Sequence, residues 1–578
     1  MKRILIISTL LFSTLFGMAQ AVIEKPLMDE MNRRGSDEKI EVAVIMKAKY
    51  DREKLTRRAE SLGTKAERRA FVVDELKRFT EASQSDLRAV LAEMQEHDMV
   101  TEPRVLWMSN SLAFKATREA IEQLARRNDI ATIGYDEMRR CIAEEPAVPT
   151  PVNREITPNL TQVNLPQVWE LGFTGQGVTV AVIDEGVNYN HLDLADHLWD
   201  GGEEFPLHGY DVFNEDNDPM DANGHGTHCS GTVCGDGTAG SQTGAAPDAT
   251  LMCVKACDND STTAVIMAKG IEWAVEHGCD LFSMSLGMAI IKEEYNPGYK
   301  TLLRRTCEAA LDAGVVGAVC AGNEGMSFLQ MLCPIPDNVR CPASCPPPYL
   351  DPDQLENPGG LTCVIAVGAV NYDDQTPSFT SEGPTTWQDI EEFGDYPYNP
   401  GIGLIRPDIC ASGVDIKSLD YSTIDGYTEM TGTSQATPCV AGIIALMLQK
   451  NPELTPAEIC RILEETSLKL TEHKNNRNGV GRVDALAAIN AVPAWDKIVE
   501  DRETKVSVYP NPTMGSITIQ AQGMNRITLL NVLSQVVYDA PTVGDLQVLD
   551  LGQYNAGIYL VRVVNENGVC VKQVSVVK

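Results

Sequence analysis

Four residues stand in short motifs whose chemistries complement one another. Asp184 closes the apolar run Val180-Ala181-Val182-Ile183, and His225 lies in Gly224-His225-Gly226-Thr227-His228. Asn323 follows the run Val315 to Ala321 in Gly322-Asn323-Glu324-Gly325, and Ser434 lies in Gly432-Thr433-Ser434-Gln435-Ala436-Thr437-Pro438. Nucleophilic acyl transfer needs these four roles: a hydroxyl that attacks, an imidazole that takes and returns its proton, a carboxylate that holds the imidazole, and an amide that donates to the oxyanion. Ser434 taken alone has two readings. Ser and Thr are common helix N-caps, while a hydroxyl at a helix start also meets free amide donors and the positive end of the dipole. The other three motifs favour the second.

These residues need a scaffold that brings them to one edge. Ser434 opens a run that is apolar on every side, through Ile443 to Leu448, and stops at Gln449-Lys450-Asn451-Pro452. That pattern predicts a helix buried all round, with Pro438 tolerable only in its first turn. Short, wholly apolar strands are predicted at Val178 to Ile183, Thr250 to Val254, Cys279 to Met284, Val315 to Ala321 and Cys363 to Val370. Helices are predicted between them at Val265 to His277 and Leu302 to Ala313, and after them at Thr455-Pro456-Ala457-Glu458, a capping box with proline at its first position. Strands of this texture alternating with helices indicate an α/β fold with a doubly wound parallel sheet, over residues 155–492. Active sites in such sheets gather at the carboxyl ends of the strands.

The flanks differ from this core. Met1 to Ala21 combines Lys2-Arg3, an apolar run and Ala19-Gln20-Ala21, a secretory signal peptide cut after Ala19 or Ala21. No later run reaches membrane-spanning length, so no transmembrane segment is expected. Residues 22–145 alternate strand and helix, including a long helix from Thr64 to His97 with apolar residues at Phe71, Leu76, Phe79, Leu87, Val90, Leu91 and Met94, and read as a small α+β domain. Pro146, Pro149, Pro151 and Pro158 mark a linker. Residues 505–578 carry short alternating segments separated by Gly, Asn and Pro, the pattern of a small β-sandwich.

Charge and cysteine usage narrow the classes. Residues 1–145 hold 25 Lys and Arg against 25 Asp and Glu, so the net charge of −33 falls entirely on residues 146–578, with 23 against 56. Such an acidic surface argues against nucleic acid as a partner. Sixteen cysteines in an exported chain permit disulfides, whose pairing spacing does not reveal. Cys333, Cys341 and Cys345 lack the paired spacing of a zinc site and are expected to staple a proline-rich insertion, so no metal site is assigned.

Between about residues 160 and 492 the chain resembles the subtilisin-like serine peptidases. The resemblance rests on Asp184-x-Gly186, Gly224 to His228, Gly244-Ala245-Ala246-Pro247, Gly270-Ile271-Glu272-Trp273-Ala274, Ser283-Met284-Ser285-Leu286-Gly287, Ala321-Gly322-Asn323 and Gly432 to Pro438, in that order. It implies a secreted endopeptidase made as a zymogen. Ser434 would be the nucleophile, His225 the general base, Asp184 the orienting acid, and Asn323 with the Ser434 amide the oxyanion hole. Ser285-Leu286-Gly287 would be the edge that pairs with an extended protein or peptide substrate.

Some positions depart from the family pattern. Glu185 follows the acid where a small hydroxyl residue is usual, and Cys439 stands where His is frequent, either as a second nucleophile or as a buried apolar residue. Cys229 follows the His225 motif as in one branch of the family, while His228 reads as structural. Asp193 fits a calcium-ligand position, but Asp236 to Gln242 lacks the expected Asn, so no cofactor is expected to be required and calcium is expected to stabilise weakly at best.

The flanking domains carry resemblances of their own. Residues 22–145 resemble the family's ferredoxin-like inhibitory propeptide, with cleavage expected between Arg140 and Asn153. Residues 505–578 resemble the sorting domain of type IX secretion cargo through Tyr509-Pro510-Asn511-Pro512 and Gly557 to Val563, which implies export to the cell surface or the medium. The alternative from another class is an inactive peptide-binding surface protein, which a serine-reactive phosphonate labelling Ser434 would rule out. Side-chain preference is not legible, because insertions at 288–299 and 326–361 reshape the cleft walls.

Overall fold

The computed structural model describes residues 21–142, 147–289, 297–325, 327–346, 362–387, 390, 403–495, 506–531, 536–565 and 568–578. Residues 1–20 of the expected signal peptide lie outside the described residues, as do parts of both insertions and residues 143–146 of the interval where processing is expected. The chain divides into two compact units, one ending at Pro493 and one beginning at Ala494.

The first unit opens with β1 (Val22–Ile23), α1 (Lys25–Arg33), β2 (Ile40–Met46), α2 (Arg52–Ala59), α3 (Lys65–Glu96), β3 (Arg104–Leu106), β4 (Ser111–Ala116), α4 (Arg118–Leu124) and β5 (Ile130–Tyr135). The strands form one sheet in the order β1-β5-β2-β4-β3. Patterning predicts neither β1 nor α1: two strand residues are too few for a period to show, and β1 exists by parallel pairing with β5. Helix α3 starts at a reciprocal capping box between Thr64 and Glu67. Its buried face runs through Val72, Leu76, Thr80, Gln84, Leu87, Leu91 and Met94, leaving Phe71 and Phe79 at its half-buried margin. Thr80 and Gln84 are tolerated there because they donate to Trp107 O at 2.9 Å and Asn110 Oδ1 at 3.0 Å.

Next come β6 (Arg139–Arg140), β7 (Val148–Thr150), α5 (Pro158–Gln162), α6 (Leu165–Glu170), β8 (Thr179–Asp184), β9 (Gly209–Asp211), α7 (His225–Cys234), β10 (Thr250–Lys255) and β11 (Ser261–Thr262). They are followed by α8 (Ala264–Glu276), β12 (Leu281–Met284), α9 (Pro297–Asp312), β13 (Val316–Cys320), α10 (Ser327–Leu332), β14 (Ile365–Val370), β15 (Ile409–Ser412), β16 (Ile416–Leu419) and β17 (Tyr427–Met430). The unit closes with α11 (Thr433–Lys450), α12 (Pro456–Thr466), β18 (Leu468–Lys469), β19 (Gly481–Arg482) and α13 (Ala485–Ala491).

The central sheet has the order β18-β19-β15-β14-β13-β12-β8-β10-β9 and is parallel except at the β18–β19 edge. In β8, Val180 and Val182 face one apolar cluster with residues of α7, α11, α12 and α13, whereas Ala181 and Ile183 face the other with α8 and α9. Both faces are therefore covered, which is why these strands read as unbroken apolar runs and not as alternating ones. The architecture is α/β.

The N-terminal sheet packs over α8 and α9, with Leu76, Trp107 and Met108 joining the same cluster. There Met108 N donates to Glu272 Oε1 at 2.8 Å. Burial raises the Glu272 carboxyl to about 7, more than Lys269 offsets. A raised carboxyl contributes fully below its ordinary value of 4.5, and the contribution is lost as pH rises through about 7. We therefore expect Glu272→Gln, in a Ser434→Ala background, to match its parent in melting temperature below pH 4.5 and to exceed it above pH 7; equal melting temperatures at both ends would contradict this.

The second unit holds β20 (Ser507–Tyr509), β21 (Ser516–Asn531), β22 (Val536–Asp550), β23 (Gly557–Asn565) and β24 (Gly568–Val576). β21 pairs with β22 along one side, while β20 and β23 share the other, on either side of register shifts between Gln520 and Arg526. Ile517, Ile519, Ile527, Leu529, Val561, Val563 and Val574 make its apolar cluster.

Candidate active site

The carboxyl end of β8 carries Asp184, and α7 is set against the turn that follows it. A Cβ on Gly226 would stand 2.0 Å from Gly186 O, so only glycine permits this approach. His225 Nδ1 thereby comes within 2.5 Å of Asp184 Oδ1, which also accepts from Glu185 N at 2.9 Å. Both side chains are buried. Asp221 holds the start of α7: its Oδ1 accepts from Gly224 N and its Oδ2 from Thr227 N and Oγ1. His228 points away and its Nε2 meets Ile416 O at 2.8 Å, a structural contact.

Glu185 is buried without disturbing this geometry. Its carboxylate accepts from Asp260 N at 2.7 Å and Asn223 Nδ2 at 2.9 Å. Burial still pushes it above the ordinary value, against the lowering effect of His225.

Ser434 is the second residue of α11, so its amide has no partner four residues earlier in the helix. Pro438 lies in the second turn, correcting the first-turn expectation. A proline there deprives the carbonyl four residues back, Ser434 O, of its helical donor. Two other groups replace it: Ser285 Oγ donates at 2.8 Å and Cys229 Sγ at 3.6 Å. Cys229 Sγ also lies 3.9 Å from His225 Nε2, so this thiol touches both the imidazole and the Ser434 backbone. Ser434 Oγ itself donates to Ser285 O at 3.2 Å. Asn323 Oδ1 accepts from Thr433 N at 2.9 Å and Thr433 Oγ1 at 3.0 Å, which pins its amide beside the start of α11. Cys439 is buried and pushed up to about 12 by burial, the behaviour of a small apolar residue and not of a nucleophile.

The edge at Ser285 to Gly287 faces a segment of the same chain. β6 pairs antiparallel with β11, Cys141 N donates to Asp260 O at 2.7 Å, and on the other flank Gly287 N donates to Cys141 O at 3.3 Å. Arg340 reaches the same carbonyl and is held by Glu324, whose Oε2 accepts from Arg340 Nε at 3.0 Å. Residues 139–142 thus run extended between β11 and the Ser285-Leu286-Gly287 edge. Beyond residues 143–146 the chain continues as β7, antiparallel to β17, the strand that leads into Ser434.

Sequence motifs located Asp184, His225, Asn323, Ser434 and the edge, and all fall at one end of the sheet. They missed Thr433, Asp221 and Arg340. Thr433 lies inside the Ser434 motif and Asp221 inside the acidic stretch before His225, so each had a local signal; Arg340 sits in an insertion with none.

Residues 175–483, more than half of the chain, match the subtilase family, and residues 507–577 match a secretion system C-terminal sorting domain. Serine protease AprX of Bacillus subtilis is 35% identical over 350 residues, covering 55% of this chain and 67% of that protein. Subtilisin E of Bacillus subtilis is 31% identical over 381 residues, 65% of this chain and 81% of the relative. Subtilisin of Bacillus pumilus is 32% identical over 331 residues, 57% and 97% respectively. With the family match, these likenesses place the chain in the subtilase family: it is a subtilisin-like serine peptidase with a C-terminal secretion sorting domain.

Proposed function

We propose that this protein is an exported serine endopeptidase made as a zymogen, with Ser434 as nucleophile, His225 as general base, Asp184 as orienting acid and Asn323 with the Ser434 amide as oxyanion hole. Residues 22–145 act as a ferredoxin-like inhibitory propeptide, residues 155–492 as the peptidase, and residues 505–578, folded as a small β-sandwich, as the type IX sorting signal. The observation that carries this reading is the seat of residues 139–142, extended beside β11 and bonded to the edge expected for substrate.

In this reading His225 takes the Ser434 Oγ proton as the oxygen attacks the scissile carbonyl. The oxyanion accepts from the Asn323 amide and the Ser434 N–H, donors fixed before the charge develops. The intermediate collapses as His225 returns the proton to the leaving amine. Water then repeats the sequence on the acyl-enzyme, and Asp184 stabilises the imidazolium at each stage.

The test is intact mass and N-terminal sequencing of the exported protein beside Ser434→Ala. A wild type that starts between residues 141 and 153 while the variant stays whole supports self-processing. Identical cleavage of both moves processing to an outside peptidase, and an uncut wild type removes the propeptide reading.

The amide role has its own test. Asn323→Ala is expected to lower kcat by roughly 10²–10³ with KM little changed, the size known for the corresponding donor of subtilisin itself. Asn323→Asp keeps the acceptor for Thr433 but loses the donor, so a comparable loss isolates the oxyanion role from the anchoring one.

Calcium fits poorly at Asp193. That carboxylate already accepts from Ala239 N at 2.5 Å and Tyr427 Oη at 2.8 Å and is fully buried. Among the described residues Asp196, His197 and Asp236 form a group of suitable donors near the surface. We expect chelation to leave activity intact and to shift the melting temperature by no more than about 2 °C, under about 1 kcal/mol; a larger drop in calorimetry would establish a required ion.

A further inference from the structure

The segment seated at the substrate edge carries a cysteine that none of the peptidase chemistry uses. Cys141 and Cys257 place their sulfurs 3.0 Å apart, and both side chains are completely buried. Cys257 lies between β10 and β11, just before the tight turn Asp258 to Ser261, whose backbone bonds are 3.1 and 3.0 Å. Contacts on every side fix the pair. Cys141 N is held by Asp260 O, and Arg140 pairs with Asp260 Oδ2 at 3.1 Å. Asp260 N is held by Glu185, the neighbour of Asp184, and the Cys141 carbonyl by Gly287 and Arg340. From this contact a bonded pair, near 2 Å, needs a shift of roughly 1 Å.

We propose that Cys141 and Cys257 form a disulfide during export that covalently latches the cleft-filling segment to the peptidase. The proposal rests on the reading of residues 22–145 as an inhibitory propeptide. An exported chain passes through an oxidising compartment where thiol pairs in contact close and persist. The step is thiol–disulfide exchange with the disulfide of a protein oxidant: the two thiols lose two protons and two electrons, the Cys141–Cys257 bond forms, and the oxidant becomes a dithiol. Burial pushes the Cys257 thiol up, so exchange takes place as the segment seats and not after it is enclosed.

The consequence concerns release. Cys141 follows Arg140 at the start of the expected processing interval, Arg140 to Asn153, so a cut anywhere beyond it leaves the severed segment tied to the catalytic unit. A severed but tethered inhibitor rebinds at a high local concentration. Activation then needs two events: hydrolysis of the peptide bond, and reduction of the latch by a dithiol, which forms two thiols here and a disulfide on the reductant.

The test uses the full-length exported protein, purified without reductant, denatured in N-ethylmaleimide and digested for mass mapping. A cross-linked peptide containing Cys141 and Cys257 is expected, and recovery of both as maleimide adducts overturns the proposal. On a denaturing gel the processed sample should run as one species without dithiothreitol and two with it. Its rate on a small peptide substrate should rise by roughly 10²-fold with dithiothreitol, the scale of a tethering effect, and Cys141→Ser should reach that rate unaided. Processed chains that separate without reductant also overturn it. An uncut chain that still yields the cross-linked peptide sinks the zymogen reading but not the latch, and the wild-type map decides even if Cys141→Ser fails to fold.

Discussion

Ser434→Ala is expected to lower kcat by about 10⁶-fold, the scale known for the corresponding serine of subtilisin itself. Ser434 Oγ stands at the edge where the sheet, α7 and α11 bring an imidazole held by a carboxylate and an amide pinned beside the start of α11. The nearby thiol of Cys229 lies beneath the imidazole and already engages the Ser434 carbonyl, so it does not substitute. In the proposed mechanism nucleophile and base act as a unit, and adding His225→Ala to Ser434→Ala should therefore cost almost nothing further. The hydroxyl makes one neutral hydrogen bond, at 3.2 Å to Ser285 O, and removing it should change stability by no more than about 1 kcal/mol. Active-site titration and kcat on a chromogenic peptide, beside a melting curve, check both parts. A residual rate above about one part in 10³, well beyond what oxyanion donors and binding alone sustain, would dethrone Ser434.

Arg406→Ala is expected to cost roughly 3–5 kcal/mol, the price of stranding a buried charge. The guanidinium is fully enclosed and donates to Ala343 O at 2.8 Å, Cys345 O at 3.0 Å, Thr362 Oγ1 at 3.1 Å and Asp408 Oδ1 at 2.9 Å. It thus ties the cysteine-rich stretch before residue 347 to β14 and β15. Lys474 Nζ reaches Asp408 at 3.2 Å and Glu464 at 2.5 Å, so two cations face two carboxylates in one buried network. Burial pushes Asp408 up, but Arg406, Lys474 and the Ala366 N–H together hold it below the ordinary carboxylate value. A depressed carboxyl contributes fully above its unfolded value, near 3.9, and the contribution disappears as pH falls through the lower folded value. The deficit of Arg406→Ala should therefore be full at pH 7 and shrink below pH 4. Arg406→Lys should recover little of it, because one ammonium cannot satisfy four separated acceptors. Denaturant unfolding in a Ser434→Ala background, where folded copies do not digest unfolded ones, measures this; a loss under about 1 kcal/mol, the size of a surface pair, would show that the network is solvated.

What could be read from residues alone was chemistry encoded within a few positions of itself. The strand ends at Asp184 and Asn323, the capping box at Thr455, and the all-apolar α11 each follow from local bonding or burial over short spans, so both the α/β class and the site edge were legible. The two-residue β1 was too short to show a period, α1 was not read either, and Pro438 was placed a turn too early because the donors that make it tolerable are distant in sequence.

Those donors mark the boundary. The amino-acid sequence by itself determined which residues carry the groups proposed to attack, take a proton and stabilise charge, because each lies in a motif whose backbone conformation is set locally. Only the tertiary structure decided what holds them: Ser285 and Cys229 on the carbonyl that Pro438 leaves open, Thr433 on Asn323, Arg340 on the segment in the cleft, and Cys141 against Cys257. The members of every one of those contacts are separated by more than 100 residues. Hydrophobic periodicity carries no record of such pairings, which arise when sheet order and helix packing bring remote strand ends to the same edge.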